Sequence, residues 1–177
     1  IQPLLTVGDQ VPNTSDNSKT YQMIGIPDGL GATKGQGGTT ILYMTHEIGT
    51  VSSTDLNPRL SEPNVGGPLN RGAFISRWTL DKNGSVISGE RAYNTVRDEE
   101  LGVTLPAAEV GNGGRPFFRF CSGSLSYHEA GFDRPIYLTG EESGGVATFD
   151  GKGGLGVAVI DNVLHTLVKM GRFAWEN

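Results

Sequence analysis

Ala73-Phe74-Ile75-Ser76-Arg77-Trp78-Thr79-Leu80-Asp81-Lys82-Asn83-Gly84 reads as a strand running into a tight turn. Phe74, Trp78 and Leu80 fall on even positions, the period-two pattern of a half-buried strand. Asn83-Gly84 is a strong hairpin signal, and residues 85–93 supply the returning strand. Working outward, residues 21–26 and 39–44 are further segments rich in β-branched and aromatic side chains and bounded by turn residues. Towards the C-terminus, residues 135–139, 145–149, 155–160 and 163–168 form a second series. Asp161-Asn162 makes a two-residue turn within it, and 150–154 makes a short one.

Two groups of four short strands joined by turns predict an all-β chain. The expected architecture is a partial β-propeller-like array of four-stranded antiparallel meanders with long loops. Residues 1–19 read as an extended leader and residues 20–177 as a single β domain of about two blades. Loops are expected over residues 49–71 and, for the most part, over 96–114. A strand-like run is expected at 116–121.

Composition agrees with many tight turns. There are 27 glycines and 9 prolines in 177 residues, with only 19% charged side chains. A net charge of -5 with scattered Lys and Arg excludes the clustered basic face that nucleic acid requires. No apolar run approaches the length of a transmembrane helix, so no membrane span is expected. Asn13-Thr14-Ser15 and Asn83-Gly84-Ser85 fit the glycosylation sequon, making Asn13 and Asn83 candidate acceptors in a secreted protein.

Gly151-Lys152-Gly153-Gly154-Leu155-Gly156 satisfies G-x-G-x-x-G, but a strand follows it where a dinucleotide site needs a helix. It is read as a hairpin turn. His46-Glu47 lacks the second histidine of a zincin. His128 and His165 stand alone.

The single cysteine, Cys121, lies in Arg119-Phe120-Cys121-Ser122-Gly123-Ser124-Leu125. A lone thiol makes no internal disulfide, so it packs, reacts or holds a metal. Glu47, the adjacent pair Glu141-Glu142, and Glu176 each follow an apolar, strand-like run. Adjacent carboxylates repel unless they are solvated, neutralised by a cation, or turned to opposite faces. One soft ligand among several hard oxygens points to a mixed metal site.

Residues 21–32 (Tyr-Gln-Met-Ile-Gly-Ile-Pro-Asp-Gly-Leu-Gly-Ala), Met44-Thr-His-Glu47, Gly72-Ala-Phe-Ile-Ser-Arg-Trp78, 119–125, Leu138-Thr-Gly-Glu-Glu142 and Gly171-Arg-Phe-Ala-Trp-Glu-Asn177 occur in an order that resembles the PhoX-type alkaline phosphatase family. The resemblance covers almost the whole chain beyond the leader and corresponds to the N-terminal portion of that family. It implies a secreted, periplasmic or extracellular β-propeller that hydrolyses phosphate monoesters with iron and calcium. By motif position it makes Cys121 an iron ligand and Glu47, Glu142 and Glu176 carboxylate ligands, with Glu141 the less certain member of its pair. Family members are much longer and carry further ligands in later blades. The alternative expectation is a non-catalytic extracellular β-protein whose exposed strand edges drive self-assembly into a fibre, homo-oligomer or other polymer.

Overall fold

The computed structural model describes residues 3–49, 72–110 and 116–176. The expected long loop lies outside them from residue 50 to residue 71. The chain is all-β, as expected. An N-terminal ribbon pairs β1 (Gln10–Pro12) with β2 (Thr20–Gln22). The first sheet follows as an antiparallel meander of β3 (Pro27–Lys34), β4 (Thr40–His46), β5 (Phe74–Leu80) and β6 (Val86–Arg91). The β5–β6 turn is the one anticipated. The Asp81 carboxylate accepts the backbone N–H groups of Asn83 and Ser85, and Gly84 takes the left-handed conformation.

A hairpin of β7 (Thr95–Asp98) and β8 (Val103–Pro106) opens the second sheet. A meander of β9 (Ser124–Ser126), β10 (Ile136–Gly140), β11 (Gly156–Ile160) and β12 (Val163–Thr166) completes it. Parallel pairing of β12 with β7 joins the two parts in the order β8-β7-β12-β11-β10-β9. Asp161 and Asn162 both have positive φ, which makes their turn the mirror-image type that suits strand twist.

Four expectations change. The leader is no free extension: its β1–β2 ribbon plates one face of the first sheet, where Tyr21, Met23, Met44, Trp78 and Leu80 form a cluster of their own. Strand β3 escapes sequence reading because Asp28-Gly29-Leu30-Gly31 breaks the apolar alternation. Those glycines are there for close approach. A Cβ on Gly29 would lie 2.3 Å from the Gly123 nitrogen, and one on Gly31 would lie 2.7 Å from the Leu125 side chain. The supposed loop after residue 96 holds most of the β7–β8 hairpin. Residues 145–149 form no strand; the fourth strand of the second meander is β9. The 145–149 segment wraps instead as turns that bury Phe149 against Phe117, with ring centroids 4.5 Å apart. The 116–121 run makes isolated bridges through Phe117 to Ala73 and Phe120 to Glu141.

The main core lies between the sheets. Ile24, Phe74 and Ile75 from the first meet Phe117, Phe120, Tyr137, Val157, Val159 and Leu164 of the second sheet and its approach. Tyr43 and Tyr137 stack across the junction at 5.3 Å, and the Tyr137 hydroxyl donates to the Gly29 carbonyl at 2.8 Å. Burial on this scale is what fixes the strand ends relative to one another.

Candidate metal centre

Four segments distant in the sequence are laced together by backbone hydrogen bonds where the strands end. The Glu47 N–H donates to the Ile26 carbonyl at 2.9 Å, and the Arg119 N–H to Ile48 at 3.0 Å. The Glu142 N–H then donates to Arg119 at 2.8 Å, and the Trp175 N–H to Glu141 at 3.0 Å. The lacing sets Glu47, Arg119 and Glu142 side by side. Arg119 Nε stands 3.9 Å from Glu47 Oε1, and its Nη1 stands 3.7 Å from Glu142 Oε2. The Cys121 thiol donates to the Trp175 carbonyl at 2.8 Å, which brings Glu176 into its field.

Two laced residues are strained. Ile26 has φ 41° and Arg119 has φ 45°, a region that non-glycine residues, and β-branched ones above all, seldom occupy. Such strain persists where the surroundings over-determine it, and it concentrates at functional sites. Here both carbonyls serve the carboxylate-bearing residues.

The electrostatics converge on the same place. Burial, followed by the charge of Glu142, raises the carboxyl of Glu47 above its ordinary range. The same two causes raise Asp28, which sits in the bulge of β3 between Pro27 and Leu30. The Cys121 thiol is pushed up to about 11 by burial and then by Glu142 and Asp28, with a smaller contribution from Glu176. Anionic groups that disfavour one another's ionisation in this way are short of positive charge. Arg119 supplies part of it. Among the described residues, no group of three His, Cys, Asp or Glu side chains is drawn tightly enough to hold one ion as it stands.

Of the five acids and thiol singled out from sequence, Cys121, Glu47, Glu142 and Glu176 fall on this common ground. Glu141 does not. It points inward, fully buried, and its Oε1 accepts the N–H groups of Phe118 and Phe149, both at 2.9 Å. Its Oε2 accepts Leu155 N–H at 3.1 Å. Burial pushes it up to about 7 against the pull of those three donors. Adjacent residues at a strand end face opposite ways, so Glu142 takes the cluster and Glu141 braces the core. Asp28 and Arg119 were missed as site residues, although both lie inside stretches that carry the family resemblance.

His46, beside Glu47, is structural. It is fully buried, its Nε2 is 2.8 Å from Ser76 Oγ, and its ring stacks on Phe74. Burial lowers it to about 4. Of the two sequons, Asn13 is buried with its Oδ1 accepting from Ser15 and Asp16, whereas Asn83 is exposed in the β5–β6 turn. No helix of the described residues is long and apolar enough to cross a membrane.

Comparison of the chain with family models, with curated proteins and with solved structures returned no match.

Proposed function

We propose that this chain carries part of the metal centre of a PhoX-like phosphate monoester hydrolase acting outside the cytoplasm, and that its two meanders are propeller blades. One observation carries the reading. Asp28, Glu47, Glu142, Glu176 and Cys121 come from five separate segments, and their mutual field holds Asp28, Glu47 and Cys121 in protonated forms. A cation removes that conflict, and the donor set fits the expected ions. A thiolate suits a transition metal such as iron, and carboxylates suit calcium. Bound, those ions would supply Lewis acidity toward a phosphoryl oxygen and neutralise charge on the attacking and leaving oxygens.

The chain's own residues do the rest. Glu47, Glu142 and Asp28 become acceptor-only ligands on losing their protons. Cys121 gives up its proton and with it the hydrogen bond to Trp175. The strained Ile26 and Arg119 backbones hold two of the carboxylates at fixed strand ends, so loading orders few new dihedrals.

The test is elemental analysis of purified protein, calcium titration by calorimetry, and hydrolysis of a chromogenic phosphate monoester. Calcium uptake is expected, accompanied by proton release that shrinks in Glu142→Gln and Cys121→Ser. Protein that takes up neither calcium nor iron ends this reading.

A further inference from the structure

Resting on the metal-centre reading, Arg119 stands out among the arginines. Arg77, Arg134 and Arg172 close on a carboxylate at 2.5–2.6 Å, within the range of charge-assisted hydrogen bonds or shorter. Arg119 reaches Glu47 and Glu142 only at 3.9 and 3.7 Å, and its side chain is 48% exposed. Its guanidinium is held between two anions by charge, not by a hydrogen-bonded fork. The Phe118 ring lies 5.6 Å beneath it, a seat that favours a cation without fixing its donors.

The backbone of Arg119 is pinned on both sides, through its N–H to Ile48 and its carbonyl from Glu142. Any motion there belongs to the side chain alone. A divalent ion entering between Glu47 and Glu142 meets the guanidinium in the space it needs, and like charges there repel. The guanidinium, once displaced, remains beside the ion with all five donors available. Planar paired donors match phosphate oxygens, and lysine does not reproduce that geometry.

We propose that Arg119 is a resident counter-cation that holds Glu47 and Glu142 in place until a divalent ion displaces it, and that the released guanidinium then binds the phosphoryl oxygens of the ester. Loss of two half-exposed ion pairs is worth about a fivefold change in the affinity of a competing cation. Loss of a paired charged contact to phosphate is worth tenfold or more.

The experiment is calorimetric titration of wild type, Arg119→Gln and Arg119→Lys with Ca²⁺ alone, followed by inorganic phosphate on each calcium-loaded protein. Arg119→Gln is expected to bind Ca²⁺ about fivefold more tightly and phosphate at least tenfold more weakly. Arg119→Lys is expected to keep near wild-type Ca²⁺ affinity and still lose phosphate affinity. Unchanged or weaker Ca²⁺ binding by Arg119→Gln overturns the counter-cation role, and unchanged phosphate binding overturns the phosphate role. Wild type that binds no Ca²⁺ overturns the metal-centre reading and this proposal together. Wild type that binds it while both variants behave identically overturns only the proposal.

Discussion

Glu141 and His46 are buried ionisable side chains with opposite pH dependences. Glu141 is raised from 4.5 to about 7, so the folded state holds a proton that the unfolded chain has lost between those values. Stability therefore falls as pH rises through that window. His46 is lowered from 6.5 to about 4, so the unfolded chain holds the extra proton and stability rises with pH between 4 and 6.5. Each slope reaches about 1.4 kcal/mol per pH unit, and between 4.5 and 6.5 the two cancel. Urea midpoints of wild type are expected to show neither slope there. Glu141→Gln should unmask the rise and His46→Gln the fall; a Glu141→Gln profile as flat as wild type would refute the pairing. Glu141→Gln should also lose about 1–3 kcal/mol, since its amide sets a donor against the Leu155 N–H.

At the scale of elements, β3 decides whether the two sheets meet. Its glycines run against the segment that carries Cys121, and Asp28 sits in its bulge. Gly29→Ala places a methyl 2.3 Å from the Gly123 nitrogen and 2.4 Å from the Ser122 carbonyl carbon, both backbone atoms with no rotamer to give way. The variant is expected to lose about 1–3 kcal/mol, read as a lower thermal midpoint. It should also weaken calcium binding, because Asp28 moves with the strand. A Gly29→Ala protein with wild-type stability and calcium affinity would show that β3 does not set the site.

At the scale of the molecule, a second lacing lies in the polar cleft lined by Arg77, Glu90 and Asn162. Arg77 bonds Glu90 Oε1 at 2.5 Å and Asn162 Oδ1 at 2.8 Å, while Ser15 Oγ donates to Glu90 Oε2. One arginine thus ties the first sheet to the β11–β12 turn of the second, and its partner Glu90 ties in the N-terminal segment. Removing the Glu90 carboxylate leaves a largely buried guanidinium uncompensated. Glu90→Ala is expected to cost about 3 kcal/mol in chemical denaturation. A loss below about 0.5 kcal/mol would class the pair with exposed ion pairs of little value.

The alternation through Phe74, Trp78 and Leu80, the Asn83-Gly84 hairpin and the Asp161-Asn162 turn were legible because each is local: side-chain period and turn chemistry act within a few residues. The cluster of acids around Cys121 was legible as a set of candidates, since each acid follows a strand-like run. The sequence alone left unsettled which of Glu141 and Glu142 belongs to it. Strand pairing through Phe120 and Glu141 turned one carboxylate into the core and the other out beside Arg119. Strand β3, the parallel join of β7 to β12, Asp28 and Arg119 depend on contacts between segments up to a hundred residues apart. Glycines chosen for close approach leave no periodic trace, and only packing of one sheet against the other determines what they touch.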